Sequence, residues 1–260
     1  MTVMKRSKKT SVTRGPRAGS RAGVHILFED ADILVVEKPA GLLTIATERE
    51  KRRTLYALLA DHVRGRRGRA GLYIVHRLDR EASGLLVFAR SKAAQEDLQG
   101  QFKVHSAVRT YVVVTEGRMA QDAYTLQSYL AENAAYRCYS TPDPAKGRWA
   151  VTHVKVLRRS SRRTLVEAHL ETGRKHQIRV HLTDLGHPIV GDRVYGGPGD
   201  PIRRLALHAM RLAFTHPRTG NPLEFHSPPP ASFKKLVKEQ MNRSSDDKRL
   251  NKRSIAPAPA

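Results

Sequence analysis

The chain has 260 residues, 40 % of them hydrophobic, and a formal net charge of +23. That length suits one large domain or two small ones, the apolar share is enough for a core, and the charge favours nucleic acid over a membrane surface as partner. No apolar run approaches the roughly 20 residues of a spanning helix, and no secretory signal opens the chain. The lone Cys138 excludes an intramolecular disulfide framework and a multi-cysteine zinc site, so a reducing, cytoplasmic setting is expected.

Residues 1–23 hold Lys5, Arg6, Lys8, Lys9, Arg14, Arg17 and Arg21 without one acid, and predict a flexible basic arm. A body over residues 24–239 follows. Ile26–Phe28 and Ile33–Val36 predict two strands around the turn Glu29-Asp30-Ala31-Asp32. Thr54 suits an N-cap for a helix to Val63, with Leu55, Leu58 and Leu59 at helical spacing. Arg64–Arg69 is a Gly/Arg loop, Gly84–Ala89 a buried strand, and Ser91 caps a helix to about Phe102. Thr110–Val114, Val151–Leu157 and Thr164–Leu170 predict further strands. Gly173–Leu185 predicts a helix that Gly186 stops, with Lys175, Arg179 and Leu182 on one side. Residues 240–260 form a second basic segment ending Ala-Pro-Ala-Pro-Ala. Strands outnumber helices without regular alternation, which favours an α+β fold.

Two clusters could carry chemistry. In Tyr73–Phe88 an apolar segment runs into His76-Arg77-Leu78-Asp79-Arg80-Glu81 and returns through Ser83-Gly84 into a second apolar strand. Functional side chains are often presented on such a turn, yet Asp79 could equally pair with Arg77 or Arg80 as a structural salt bridge. The second cluster is Arg174-Lys175-His176-Gln177-Ile178-Arg179-Val180-His181. Its cations could form a solvated face, a phosphate-binding surface, or a partner that keeps Asp79 ionised. His176, His181 and His187 lack the spacing of a zinc helix. Walker-type, Gly-x-Gly-x-x-Gly and Gly-x-Ser-x-Gly motifs are missing, so neither a metal nor a cofactor is expected.

The segment Val75–Ala89 resembles the signature of RluA-type RNA pseudouridine synthases. Thr172–His181, continued by Gly186–Asp192 and Tyr195-Gly196, resembles that family's later motif. Glu37–Leu42, Arg109-Thr110-Tyr111, Leu207–Met210 and His216–Gly220 match in the same order. The resemblance implies a mixed, largely antiparallel sheet with flanking helices and a central cleft. It implies isomerisation of uridine in ribosomal or transfer RNA without cofactor or metal. Asp79 matches the family nucleophile, Tyr111 the tyrosine that stacks on the target base and handles protons, and Arg179 the arginine that pairs with the aspartate. Arg77 matches a residue that enters the RNA, and His76, Arg80, Arg174, Lys175 and His176 are expected to contact RNA beside it. Ala82 and Lys175 depart from the usual threonine and small hydroxyl residue. No S4-like domain is evident ahead of the body, and a monomer is expected. The alternatives are an inactive RNA-binding protein on the same scaffold, a glycosylase acting on the same bond, and a basic peripheral membrane protein.

Overall fold

The computed structural model describes residues 24–48, 50, 53–64, 71–196 and 199–238. The two basic terminal segments and nearly all of the Gly/Arg loop lie outside the described residues. In the first hairpin His25–Glu29 (β1) pairs antiparallel with Ile33–Lys38 (β2). Asp30 Oδ1 accepts the N–H groups of Asp32 and Ile33 at 2.8 Å each, the local bonding that makes Asp a turn residue. Leu55–Arg64 (α1) starts where Thr54 Oγ1 accepts from the Ala57 N–H at 3.1 Å. Tyr73–Ile74 (β3) and Ser83–Ala89 (β4) flank the Asp79 loop. Lys92–Lys103 (α2) starts at Ser91, whose Oγ accepts from the Ala94 N–H at 3.1 Å. Both predicted caps are in place.

Val108–Glu116 (β5), Ala123–Glu132 (β6), Cys138–Thr141 (β7), Arg148–Arg159 (β8) and Arg163–Leu170 (β9) come next. Gln177–Asp184 (α3), Leu207–Thr215 (β10), Pro222–His226 (β11) and Ala231–Lys238 (α4) complete the described chain. The strands form one sheet in the order β1-β2-β4-β10-β5-β9-β8-β6-β7, with β3 on β4 and β11 on β10. Only β4 and β10 pair in parallel; the other described pairings are antiparallel. The fold is therefore α+β with a mixed, mostly antiparallel sheet. No helix among the described residues is long and apolar enough to cross a membrane.

The central strands are apolar without a break because both of their faces are covered. Leu34, Val36, Leu86 and Phe88 join Leu55 and Leu59 of α1 and Phe233 of α4 in the larger core. Ile33, Val35, Leu85 and Val87 face Ala94 and Leu98 of α2 on the other side.

The helix expected from Gly173 begins only at Gln177. His176 takes a left-handed φ of +55°, and Gln177 turns its side chain back across the preceding loop. Gln177 Oε1 accepts from the Thr172 hydroxyl at 2.7 Å and the Arg174 N–H at 3.0 Å, while its Nε2 donates to Val151 O at 2.9 Å. Lys175 thus sits in a loop and shares no helix face with Arg179 and Leu182. Gly186, at φ +83°, follows the helix end as predicted.

Candidate active site

The Asp79 loop is fixed from below. At the start of β4, Gly84 has φ +112°, and a Cβ there would lie 2.2 Å from Ala209 O of β10. Only glycine permits that parallel contact. Thr44 Oγ1 donates to Leu78 O at 2.8 Å and accepts from the Leu78 N–H at 3.3 Å. On the far side of Asp79, the fully buried Lys38 donates through Nζ to Arg80 O at 3.1 Å, and also to Pro39 O and Leu42 O at 3.0 and 2.7 Å. Burial pulls the Lys38 amine down to about 7, against the upward pull of Asp79 and Glu81. Three carbonyls match the three N–H donors of an ammonium.

Arg179 enters from α3, its side chain 2 % exposed. Its Nε and Nη2 donate to Asp192 Oδ2 and Oδ1 at 2.8 Å each, and its Nη1 donates to Asp79 Oδ2 at 3.2 Å. Burial alone would lower the guanidinium's pKa; Asp192 and Asp79 together raise it above its ordinary range. Asp192 Oδ1 also accepts the N–H groups of Val194 and Tyr195. Burial would raise the Asp192 carboxyl, but Arg179 and these two amides hold it below its usual value. The Tyr195 ring covers the guanidinium at 5.1 Å, a cation–π contact.

Asp79 opens onto a cleft whose polar lining includes Arg77, Tyr111, Arg174, His176 and Arg179, over an apolar floor that includes Leu170, Ile178 and Leu207. Tyr111 projects from β5 and is buried, which pushes its phenol up despite the opposing field of Arg109. It is therefore a protonated donor at neutral pH. A carboxylate beside a buried guanidinium, a phenol and an apolar floor can hold a flat base and move protons at it.

The expected residues divide into three groups. Asp79, Tyr111, Arg179, Arg77, Arg174 and His176 share the cleft. Arg77 is exposed there and has no ion-pair partner among the described residues, while Arg174 donates through Nε to Trp149 O at 3.1 Å. Arg80 and Lys175 lie outside the cleft lining; Arg80 pairs with Glu50 at 3.1 Å and Lys175 with Glu132 at 2.6 Å. His76 turns inward, stacked on Phe102 at 4.6 Å, with Nε2 accepting from the Val87 N–H at 3.3 Å. Burial, helped by Arg109, lowers His76 to about 3, so it stays neutral. Its placement is that of a packing residue, which gives no support to RNA contact. Asp192, Tyr195 and Lys38 were not singled out from sequence, although each lies in a segment matching the family pattern. An acid in the apolar run Ile189-Val190-Gly191-Asp192 was the available signal.

A family model described as RNA pseudouridylate synthase matches residues 32–184. An uncharacterized RNA pseudouridine synthase of Bacillus subtilis is 39 % identical over 215 residues, covering 82 % of this chain and 71 % of the relative. Ribosomal large subunit pseudouridine synthase D of Neisseria meningitidis is 39 % identical over 226 residues, covering 82 % of this chain and 60 % of that protein. Among solved structures, human RNA pseudouridylate synthase domain containing 1 superposes with a TM-score of 0.64 at 26 % identity. It covers 82 % of this chain and 86 % of its own. The chain belongs to the RNA pseudouridylate synthase family, in its RluA-type branch, and is an isomerase.

Proposed function

We propose that the chain converts uridine in structured ribosomal or transfer RNA to pseudouridine, with Asp79 as the reacting carboxylate on a nucleotide flipped out of its stack. The observation that carries this reading is the shared placement of Asp79, Tyr111 and a buried Arg179 around one cleft. In the reaction the N1–C1′ bond breaks, the uracil turns, a C5–C1′ bond forms, and the C5 proton is lost while N1 regains one. The product has unchanged mass. Asp79 either attacks the ribose or accepts a ribose proton on a glycal route. Arg179 orients Asp79 through the Nη1 hydrogen bond to Oδ2 at 3.2 Å. Tyr111 offers a flat face to the uracil and a phenol near C5. Extruding the base costs a few kcal/mol, which phosphate contacts from Arg77 and Arg174 at the rim would offset.

Asp79→Asn should abolish tritium release from RNA labelled at uridine C5 while leaving RNA binding close to wild type. Turnover retained in that variant would refute the role of Asp79. RNA binding by the wild type without tritium release would favour the inactive scaffold instead.

A further inference from the structure

Tyr195 follows the arginine anchor Asp192 by three residues and is buried. Besides covering Arg179, its ring meets the His176 ring edge-on at 5.6 Å. Its hydroxyl accepts the Cys138 N–H at 3.1 Å and stands 2.8 Å from His176 Nδ1. A backbone amide can only donate, so the phenol's own hydrogen is left for Nδ1. Were Nδ1 protonated instead, that buried hydrogen would be left to the Cys138 thiol, a far weaker acceptor than an imidazole nitrogen. The other edge of the ring agrees. His176 Nε2 lies 3.9 Å from Asp79 Oδ2, where a lone pair would face a carboxylate and an N–H is favoured. Arg179 Nη1 approaches this same Oδ2, whereas Asp79 Oδ1 has no hydrogen-bond partner among the described residues.

We propose that Tyr195 and His176 are positioning residues for Asp79: Tyr195 fixes His176 as its Nε2–H tautomer, and His176 and Arg179 together bracket Oδ2, leaving Oδ1 to meet the ribose. This rests on reading Asp79 as the reacting carboxylate. The left-handed backbone at His176 is what turns its ring toward the loop rather than along the helix. Both rings stay neutral near pH 7. Burial pushes Tyr195 up to about 12, and burial with Arg179 and Lys175 holds His176 below its ordinary value against Asp79 and Asp192. His176 therefore acts on the carboxylate rather than as a cation on RNA.

The test uses the full chain. Nitrogen-15 NMR of histidine-labelled protein, with His176 identified by its loss in His176→Asn, should show the proton on Nε2. A proton on Nδ1 overturns the proposal. In tritium-release kinetics, His176→Gln can still place an amide N–H near the Nε2 position, whereas His176→Asn reaches only the Tyr195 side. We expect His176→Asn and Tyr195→Phe to lose about tenfold or more in kcat with KM little changed, and His176→Gln to lose clearly less. Equal losses in the Gln and Asn variants, or losses confined to KM, overturn the proposal. Asp79→Asn run alongside separates the two claims. If it turns over, the reading of the site fails; if it is inactive while His176→Asn and Tyr195→Phe match wild type, the positioning role alone fails.

Discussion

Arg179 hydrogen-bonds two carboxylates, with Glu81 a looser neighbour at 3.9 Å, and the division between the two sets what each can do. Asp192, fully buried, takes Nε and Nη2 and neutralises the cation inside the protein. Asp79 receives only Nη1 and remains 22 % exposed at the cleft, free to change partners. Asp192→Asn would strand a buried guanidinium and draw Asp79 into a structural role. It should cost about 3–5 kcal/mol in denaturant unfolding and reduce turnover. An unchanged unfolding midpoint would show that Asp192 is not the anchor. That Asp79, Tyr111 and Arg179 would share one cleft was legible through ordered motifs, whereas spacing alone left Asp79 a salt-bridge candidate. Lys38 was not legible because its acceptors Leu42 O and Arg80 O come from loops that meet only in the fold. The inward turn of His76 depended in the same way on Phe102, 26 positions along the chain.

The elements most visible in the sequence were those whose burial matches their apolar pattern. Unbroken runs gave β2 and β4, alternation gave β8, and hydroxyl caps with helical spacing gave α1 and α2. The strand β6 escaped notice because its covered side runs Tyr124, Leu126, Ser128, Leu130, with a polar residue among apolar ones. That serine has a partner in α3: His181 Nε2 meets Ser128 Oγ at 3.0 Å, and its Nδ1 meets Thr152 Oγ1 of β8 at 2.9 Å. One imidazole thus ties α3 to two strands. Burial lowers His181 from 6.5 to about 4, so between those values the unfolded chain binds a proton that the folded protein refuses. Stability is full above pH 6.5 and falls as the pH drops toward 4, by about 2–3 kcal/mol from this group. Unfolding measured across that range should show the decline, flatter in His181→Gln but not level, because His76 titrates in the same direction. An equally steep profile in the variant would assign the effect elsewhere.

For the molecule as a whole, the charge of +23 pointed to a polyanion long before any reaction could be named. Among the described residues, Arg77 and Arg174 bring cations to the cleft rim without an ion pair, where a phosphate backbone could pass. The loop after β3 carries Arg77 and Asp79 and the loop before α3 carries Arg174 and His176, while Tyr111 stands on β5 and Arg179 on α3, so connections and rigid elements share the cleft. Composition could indicate the partner and ordered motifs the reaction. Neither carries the identity of the target uridine, because that choice depends on the shape of an RNA surface docked against the whole molecule. Pseudouridine mapping of total RNA addresses both questions at once, in cells that contain the protein, lack it, or carry Asp79→Asn. The expected result is one or more uridines converted in the first and unconverted in the other two. Wild-type levels of those same pseudouridines in the Asp79→Asn cells would contradict catalysis by Asp79.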